Sequence, residues 1–380
     1  MSGQQFVHPW SPDGSMFAIR YGGKLRIYDK DGGDPVSQIP CVNTAVFRWH
    51  PSGKYVLLYQ QGDVRLCTTT GESRVLVQKY VIDIVPSPDG KFVCTDKGEI
   101  YSISGKKISQ IELPYQAGWR GNSIHWEEAD KLTVFSGNEV GSFVEMTPTG
   151  KRVREVARPV PLPVTLGTWR NNTNRLVTCF PSTDEYHLNS KWIFNWDENG
   201  AGSSLEFSER FGTKQGTGAS IGWDQVNERL SVADANGVHT FDLAGKLVSH
   251  LAEGTYPSQA TWSPDGKKLA IAFHYQADVL VYEDGEQKKF TFKGARKSVQ
   301  WLADSNRLVV DYTDSDRYAI VSLEDSEVVQ FESRCSYPVS PSGSRTVIVE
   351  DREENLVHVT LRQMNGEPVS YTHLTLPTKA

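Results

Sequence analysis

Gln259-Ala-Thr-Trp262-Ser-Pro-Asp-Gly266-Lys-Lys-Leu-Ala-Ile-Ala-Phe273 decides the fold of this 380-residue chain. Gln259–Trp262 reads as a short strand. Ser-Pro-Asp-Gly closes a turn in which Pro264 presets φ and Gly266 supplies a positive φ. Residues 268–273 follow as an apolar run, the pattern of a strand covered on both faces. Downstream, Asp278-Val-Leu-Val-Tyr282 is a third strand ending in the turn Glu283-Asp-Gly285, and Lys289-Phe-Thr-Phe292 alternates like a half-exposed outer strand. The unit is four antiparallel strands.

That unit recurs. Trp10-Ser-Pro-Asp-Gly14 and Trp49-His-Pro-Ser-Gly53 repeat it closely, while Pro86-Ser-Pro-Asp-Gly90 and Val339-Ser-Pro-Ser-Gly343 keep the turn without the Trp. Trp126, Trp169, Trp223 and Trp301 keep the Trp and change the turn. The anchors fall at 10, 49, 86, 126, 169, 223, 262, 301 and 339, at intervals of 37 to 43 residues apart from one of 54. A period near forty is that of radially stacked four-stranded blades. No long amphipathic helical pattern interrupts it, and a single blade cannot bury both faces, so neighbours must cover one another. Seven of the ten Trp sit at anchors, where a large ring fills the wedge between blades. The long interval is read as one blade with longer loops.

On these residues the chain resembles the WD40 and TolB-like (Trp-Ser-Pro-Asp-Gly) β-propeller superfamily over residues 5–365. The Gly-His that opens strict WD40 repeats is absent, and the closing Trp-Asp survives only as Trp196-Asp197. The expectation is an all-β propeller of nine repeat units in residues 1–368. One ring of eight or nine blades is favoured over a seven- or eight-bladed ring with the start of a second. Residues 369–378, Val-Ser-Tyr-Thr-His-Leu-Thr-Leu-Pro-Thr, break the pattern and resemble a translated sequencing-adapter scar, making 369–380 a non-native tail. On that reading the native chain extends past Pro368, and the outer strand of the ninth blade is either missing or built from the tail.

Composition narrows the function. A net charge of −6 and a pI near 5.9 oppose a nucleic-acid footprint. No eighteen-residue apolar run offers a membrane span, and the first residues lack a secretory signal. Five scattered cysteines read as buried, reduced thiols of a cytoplasmic protein.

Few residues suggest chemistry. Gly218-Ala-Ser220-Ile-Gly222 matches a nucleophile elbow, but no helix follows it, and by register it is an inner strand. Asp29-Lys-Asp31-Gly32 resembles the start of a calcium loop without its remaining ligands. The nine His show no metal-ligand spacing, and no phosphate loop is present. No catalytic, cofactor or metal residue is therefore assigned. Two basic clusters, Lys151, Arg152, Arg154 and Arg158, and Lys288, Lys289, Lys293, Arg296 and Lys297, are read as charged outer strands that keep blade edges soluble. Two loops exceed the repeat minimum. One carries Tyr115, Trp119 and Arg120, and the other Asp184, Glu185, Tyr186 and His187; both suit a partner-binding rim. The leading expectation is a monomeric, non-enzymatic scaffold for protein partners, binding neither nucleic acid nor membrane. The alternative is the substrate-gating propeller of a truncated prolyl-oligopeptidase-like serine peptidase.

Overall fold

The computed structural model describes residues 9–42, 45–60, 62–79, 81, 84–111, 123–135, 143–156, 166–169, 176–180, 191–196, 202–206, 220–234, 237–242, 246–273, 276, 278–292, 296–312, 317–332, 339–353, 356–363 and 368–375. These form nine antiparallel sheets in chain order. Seven have four strands, and the first and ninth have three. In those two the innermost strand shrinks to one bridge, Trp10 with Phe17 and Val339 with Thr346. Each repeat read from the sequence thus yields one blade. The 54-residue interval holds one four-stranded sheet, Leu166–Trp169, Leu176–Phe180, Lys191–Trp196 and Gly202–Glu206. The third strand of the ninth sheet, Pro368–Thr375, pairs with Leu356–Gln363, so the stretch expected to be a tail supplies that blade's outer strand.

The reference blade runs Pro257–Trp262, Lys268–Phe273, Asp278–Glu283 and Glu286–Thr291, the four strands expected, with the outer one starting directly after the turn at Glu286 rather than at Lys289. Its second strand is buried along its whole length. The Ser-Pro-Asp-Gly turn is a self-contained network. Ser263 Oγ donates to Asp265 Oδ1 at 2.5 Å and accepts the Lys268 amide at 2.9 Å, while Asp265 accepts the Lys267 amide at 3.1 Å. Ser11 with Asp13, and Ser87 with Asp89, repeat the pattern. This local closure explains why the turn persists at 86 and 339, where the Trp is lost.

The chain divides into two compact units, one of residues 1–136, 143–155 and 331–380, the other of 137–142 and 156–330. Within each, apolar clusters lie between consecutive blades. In the first unit Trp10, Phe17 and Tyr28 of blade one pack on Val347, Val359 and Leu361 of blade nine. Arg345 adds an ion pair to Asp31 at 2.6 Å and a bond to the Lys30 carbonyl. In the second unit, Ala233 and Val238 pack on Ala260, Leu269, Ile271 and Phe273.

The anchor Trp does more than fill the wedge. The indole of Trp49 donates to the Pro9 carbonyl, that of Trp126 to Val85 and that of Trp301 to Thr261, at 2.7 to 2.9 Å. Each bond spans about one repeat and ties an inner strand to the previous blade. Gln259 does the reverse, its side-chain amide pairing with both the N–H and the C=O of Val299 at 2.9 Å. Inner edge strands thereby satisfy backbone groups that their own sheets leave open.

Candidate functional site

Tyr115, Trp119, Arg120, Asp184, Glu185, Tyr186 and His187 all lie outside the described residues. The other sequence candidates can be placed. Ser220 begins the inner strand Ser220–Asp224, paired with Ala233, and a second strand follows rather than a helix. Gly222 is small for a steric reason: a Cβ there would stand 3.0 Å from the Ala260 carbonyl carbon of the next blade, and nearer still to its oxygen. Asp31 is engaged by Lys30 and Arg345, which hold its carboxyl down at about 2, and Asp29 caps the Asp31 amide. Among the described residues no group of three His, Cys, Asp or Glu is placed to hold a metal ion.

The basic clusters are partly internal. Lys288 donates to the Leu323 carbonyl of the next blade, and Lys289 pairs with Asp278 at 2.7 Å. Arg296 and Lys297 begin the inner strand Arg296–Trp301, which corrects their assignment to an outer strand: the preceding blade already ends at Thr291. Lys151 and Arg152 are exposed, at the start of an outer strand that includes Arg154; Lys293 and Arg158 lie outside the described residues.

One loop departs from the repeat geometry. Among the described residues six non-glycine residues have positive φ. Glu228 and Ser305 sit in turns where other repeats use glycine, and Asp284 and Ser326 in the turns before outer strands, so repeat architecture accounts for all four. Ala252 (φ 53°) and Tyr256 (φ 54°) instead flank Gly254 (φ 69°) in the five-residue link from the outer strand Leu247–Leu251 to the inner strand Pro257–Trp262. A left-handed conformation costs a side-chain-bearing residue about 1–2 kcal/mol. Tyr256 also precedes Pro257, which favours extended backbone at the residue before it.

Surrounding packing holds this conformation. Leu251 and Ala252 lie against the core between blades six and seven. Thr255 Oγ1 donates to the Ala252 carbonyl at 2.5 Å, and Gln276 Nε2 reaches the Thr255 carbonyl at 3.5 Å. A Cβ on Gly237 would come within 2.7 Å of the Leu251 oxygen and 2.9 Å of His250 Nε2, so the neighbouring hairpin closes tightly beneath. The result is a fixed loop that leaves Tyr256 38% exposed, with Glu253 and Gln276 exposed beside it. Nearby, His250 stacks on His239, centroids 4.2 Å apart. Burial and the adjacent imidazole push His239 down to about 4. The loop brings together no nucleophile, base and oxyanion donors; what it presents is a held aromatic ring. Sequence reading passed over it because its length is ordinary, and only the Tyr-Pro step after a glycine marked it.

No protein-family model matches the chain, and no curated protein matches its sequence. Solved structures do match in shape. A crystal structure of the eukaryotic initiation factor aligns with a TM-score of 0.59 at 12% identity, covering 96% of this chain and 86% of that one. Dihydro-heme d1 dehydrogenase NirN, in complex with DHE, aligns with a TM-score of 0.51 at 12% identity, covering 100% of this chain and 76% of that one. The chain is a β-propeller. At such identity the likeness fixes the fold of the propeller and leaves its function to its own residues. No described helix is long and apolar enough to cross a membrane.

Proposed function

We propose that this propeller is a non-enzymatic scaffold for protein–protein contacts, of the WD40-like and TolB-like kind its repeats resemble, and that one partner docks at residues 252–256. The observation that carries this reading is the strained loop presenting Tyr256. Backbone strain survives only where packing over-determines it, and it concentrates at working sites. An exposed tyrosine on a rigid support meets a partner with little entropy to lose, which suits an interface anchor. A cytoplasmic location is supported by Cys41, Cys67 and Cys94, none of which is in a disulfide.

Quantitative affinity capture from cells of the source organism tests the proposal, using wild type, Tyr256→Ala and, as an exposed control in blade four, Val153→Ala. A partner held by wild type and the control but reduced about tenfold or more by Tyr256→Ala supports it. Partners indifferent to Tyr256 would overturn it. The non-enzymatic part has its own check: a fluorophosphonate probe for activated serines should leave Ser220 unlabelled, and stoichiometric labelling there would reverse the assignment.

A further inference from the structure

Among the described residues the last strand of each sheet has a strand neighbour on one side only, and such an edge invites pairing with another strand. Eight of the nine outer strands contain a charged residue or a proline: Ser37–Pro40, Ser73–Val77, Lys107–Gln110, Arg152–Val156, Gly202–Glu206, Glu286–Thr291, Val328–Glu332 and Pro368–Thr375. The outer strand of blade six, Leu247-Val-Ser-His-Leu251, has neither. Leu247 and Val248 are each 50% exposed, and His250 is exposed as well. A β-bulge against Thr240 and Phe241 makes Val248 an extra residue, so Leu247 and Val248 open apolar surface side by side at the start of this edge.

We infer that this edge is a self-association site, pairing antiparallel with the same strand of a second copy of the chain. The order of residues argues for that occupant. An antiparallel pair centred on Ser249 sets Leu247 opposite Leu251 of the other copy, Val248 opposite His250, and Ser249 opposite itself, which satisfies two-fold symmetry. Apolar side chains facing across such a pair are the unit of sheet stabilisation. The same operation on Arg152–Val156 or Glu286–Thr291 would bring arginines or lysines near their own kind, whereas Leu247–Leu251 meets its copy with no like-charge repulsion. On this inference the chain self-associates where the sequence reading expected a monomer. It is distinct from the docking loop, because it uses the strand edge and leaves Tyr256 uncommitted. Five residues per chain bury far less than a standard interface of about 1,600 Å², so the dimer is weak, in the micromolar range or above.

Sedimentation velocity on the full chain from about 1 to 300 µM, a range set by that weakness, tests the inference. Wild type should shift with concentration towards a dimer, Tyr256→Ala should behave like wild type, and Val248→Lys should raise the dissociation constant at least ~10-fold by placing a lysine on the edge. A disulfide scan with copper–phenanthroline provides the second measurement. Ser249→Cys should cross-link to itself, since directly opposed positions have the Cβ separation a disulfide accepts, and Lys246→Cys should not. A wild type that stays monomeric throughout, a dimer untouched by Val248→Lys, or Ser249→Cys failing to cross-link in a folded chain would each overturn the pairing.

Discussion

The tightest test of the blade packing is Gly222→Ala. Gly222 lies on the inner strand Ser220–Asp224 with no positive φ, so alanine brings no conformational strain of its own. What it brings is a methyl 3.0 Å from the Ala260 carbonyl carbon and 3.5 Å from the Thr261 Cα. Non-bonded carbons rest at about 3.5–4.0 Å, so the two inner strands must part by roughly half an ångström or more. The obstacle is backbone and cannot rotate away. Overpacking of this kind costs about 1–3 kcal/mol, and the upper half of that range applies here. Restriction of the unfolded chain by alanine returns about 0.4–1 kcal/mol, leaving a net loss near 2 kcal/mol.

Gly285→Ala is the matched comparison. It sits at φ 84° with nothing within 4 Å of its ideal Cβ, so its loss is purely conformational, about 1 kcal/mol net. Urea denaturation of both variants, followed by circular dichroism, should rank Gly222→Ala below Gly285→Ala with unchanged m-values. A thermal melt should show the larger loss as about 4–8 °C for a cooperative unit of ~150–250 residues. If Gly222→Ala proves no worse than Gly285→Ala, the close approach of the inner strands of blades six and seven is wrong.

Other consequences follow from single groups. His239, pushed to about 4 from 6.5 by burial and by His250, is held neutral in the folded chain, while the unfolded chain binds its proton below pH 6.5. Its contribution is complete above pH 6.5 and is lost as pH falls towards 4, so His239→Leu should flatten the stability–pH curve in that window; an unchanged slope would refute the assignment. The Tyr28 hydroxyl is buried with no hydrogen-bond partner among the described residues, and burial raises its pKa to about 12. Tyr28→Phe should be neutral or stabilising by about 1 kcal/mol, and a clear loss of stability would reveal a missed partner. Burial pushes the Cys67 and Cys94 thiols up to about 12, whereas Cys41 is raised but only half-buried. Alkylation at pH 8 with mass-spectrometric readout should therefore modify Cys41 before either of the others.

The sequence by itself determined the unit and its recurrence. Turn chemistry is local: Ser263, Asp265 and Gly266 satisfy one another within six residues, and a continuous apolar run marks the strand that follows, so nine sheets could be counted from nine anchors. Trp49, Trp126 and Trp301 were legible as wedges because a large apolar ring at a fixed register has one place to go. Only the tertiary structure decided what each blade asks of its neighbour. The carbonyls that receive the indoles lie about forty residues away, the amide of Gln259 replaces a missing strand partner, and Gly222 is small because Ala260 stands beside it. None of these leaves a periodic trace, since each depends on distance between blades rather than on spacing along the chain. The candidate site was hidden for the same reason. A left-handed Tyr256 ahead of a proline contradicts its local preferences, and the loop that carries it is fixed at its start by the hairpin at Gly237 and the core beneath Ala252.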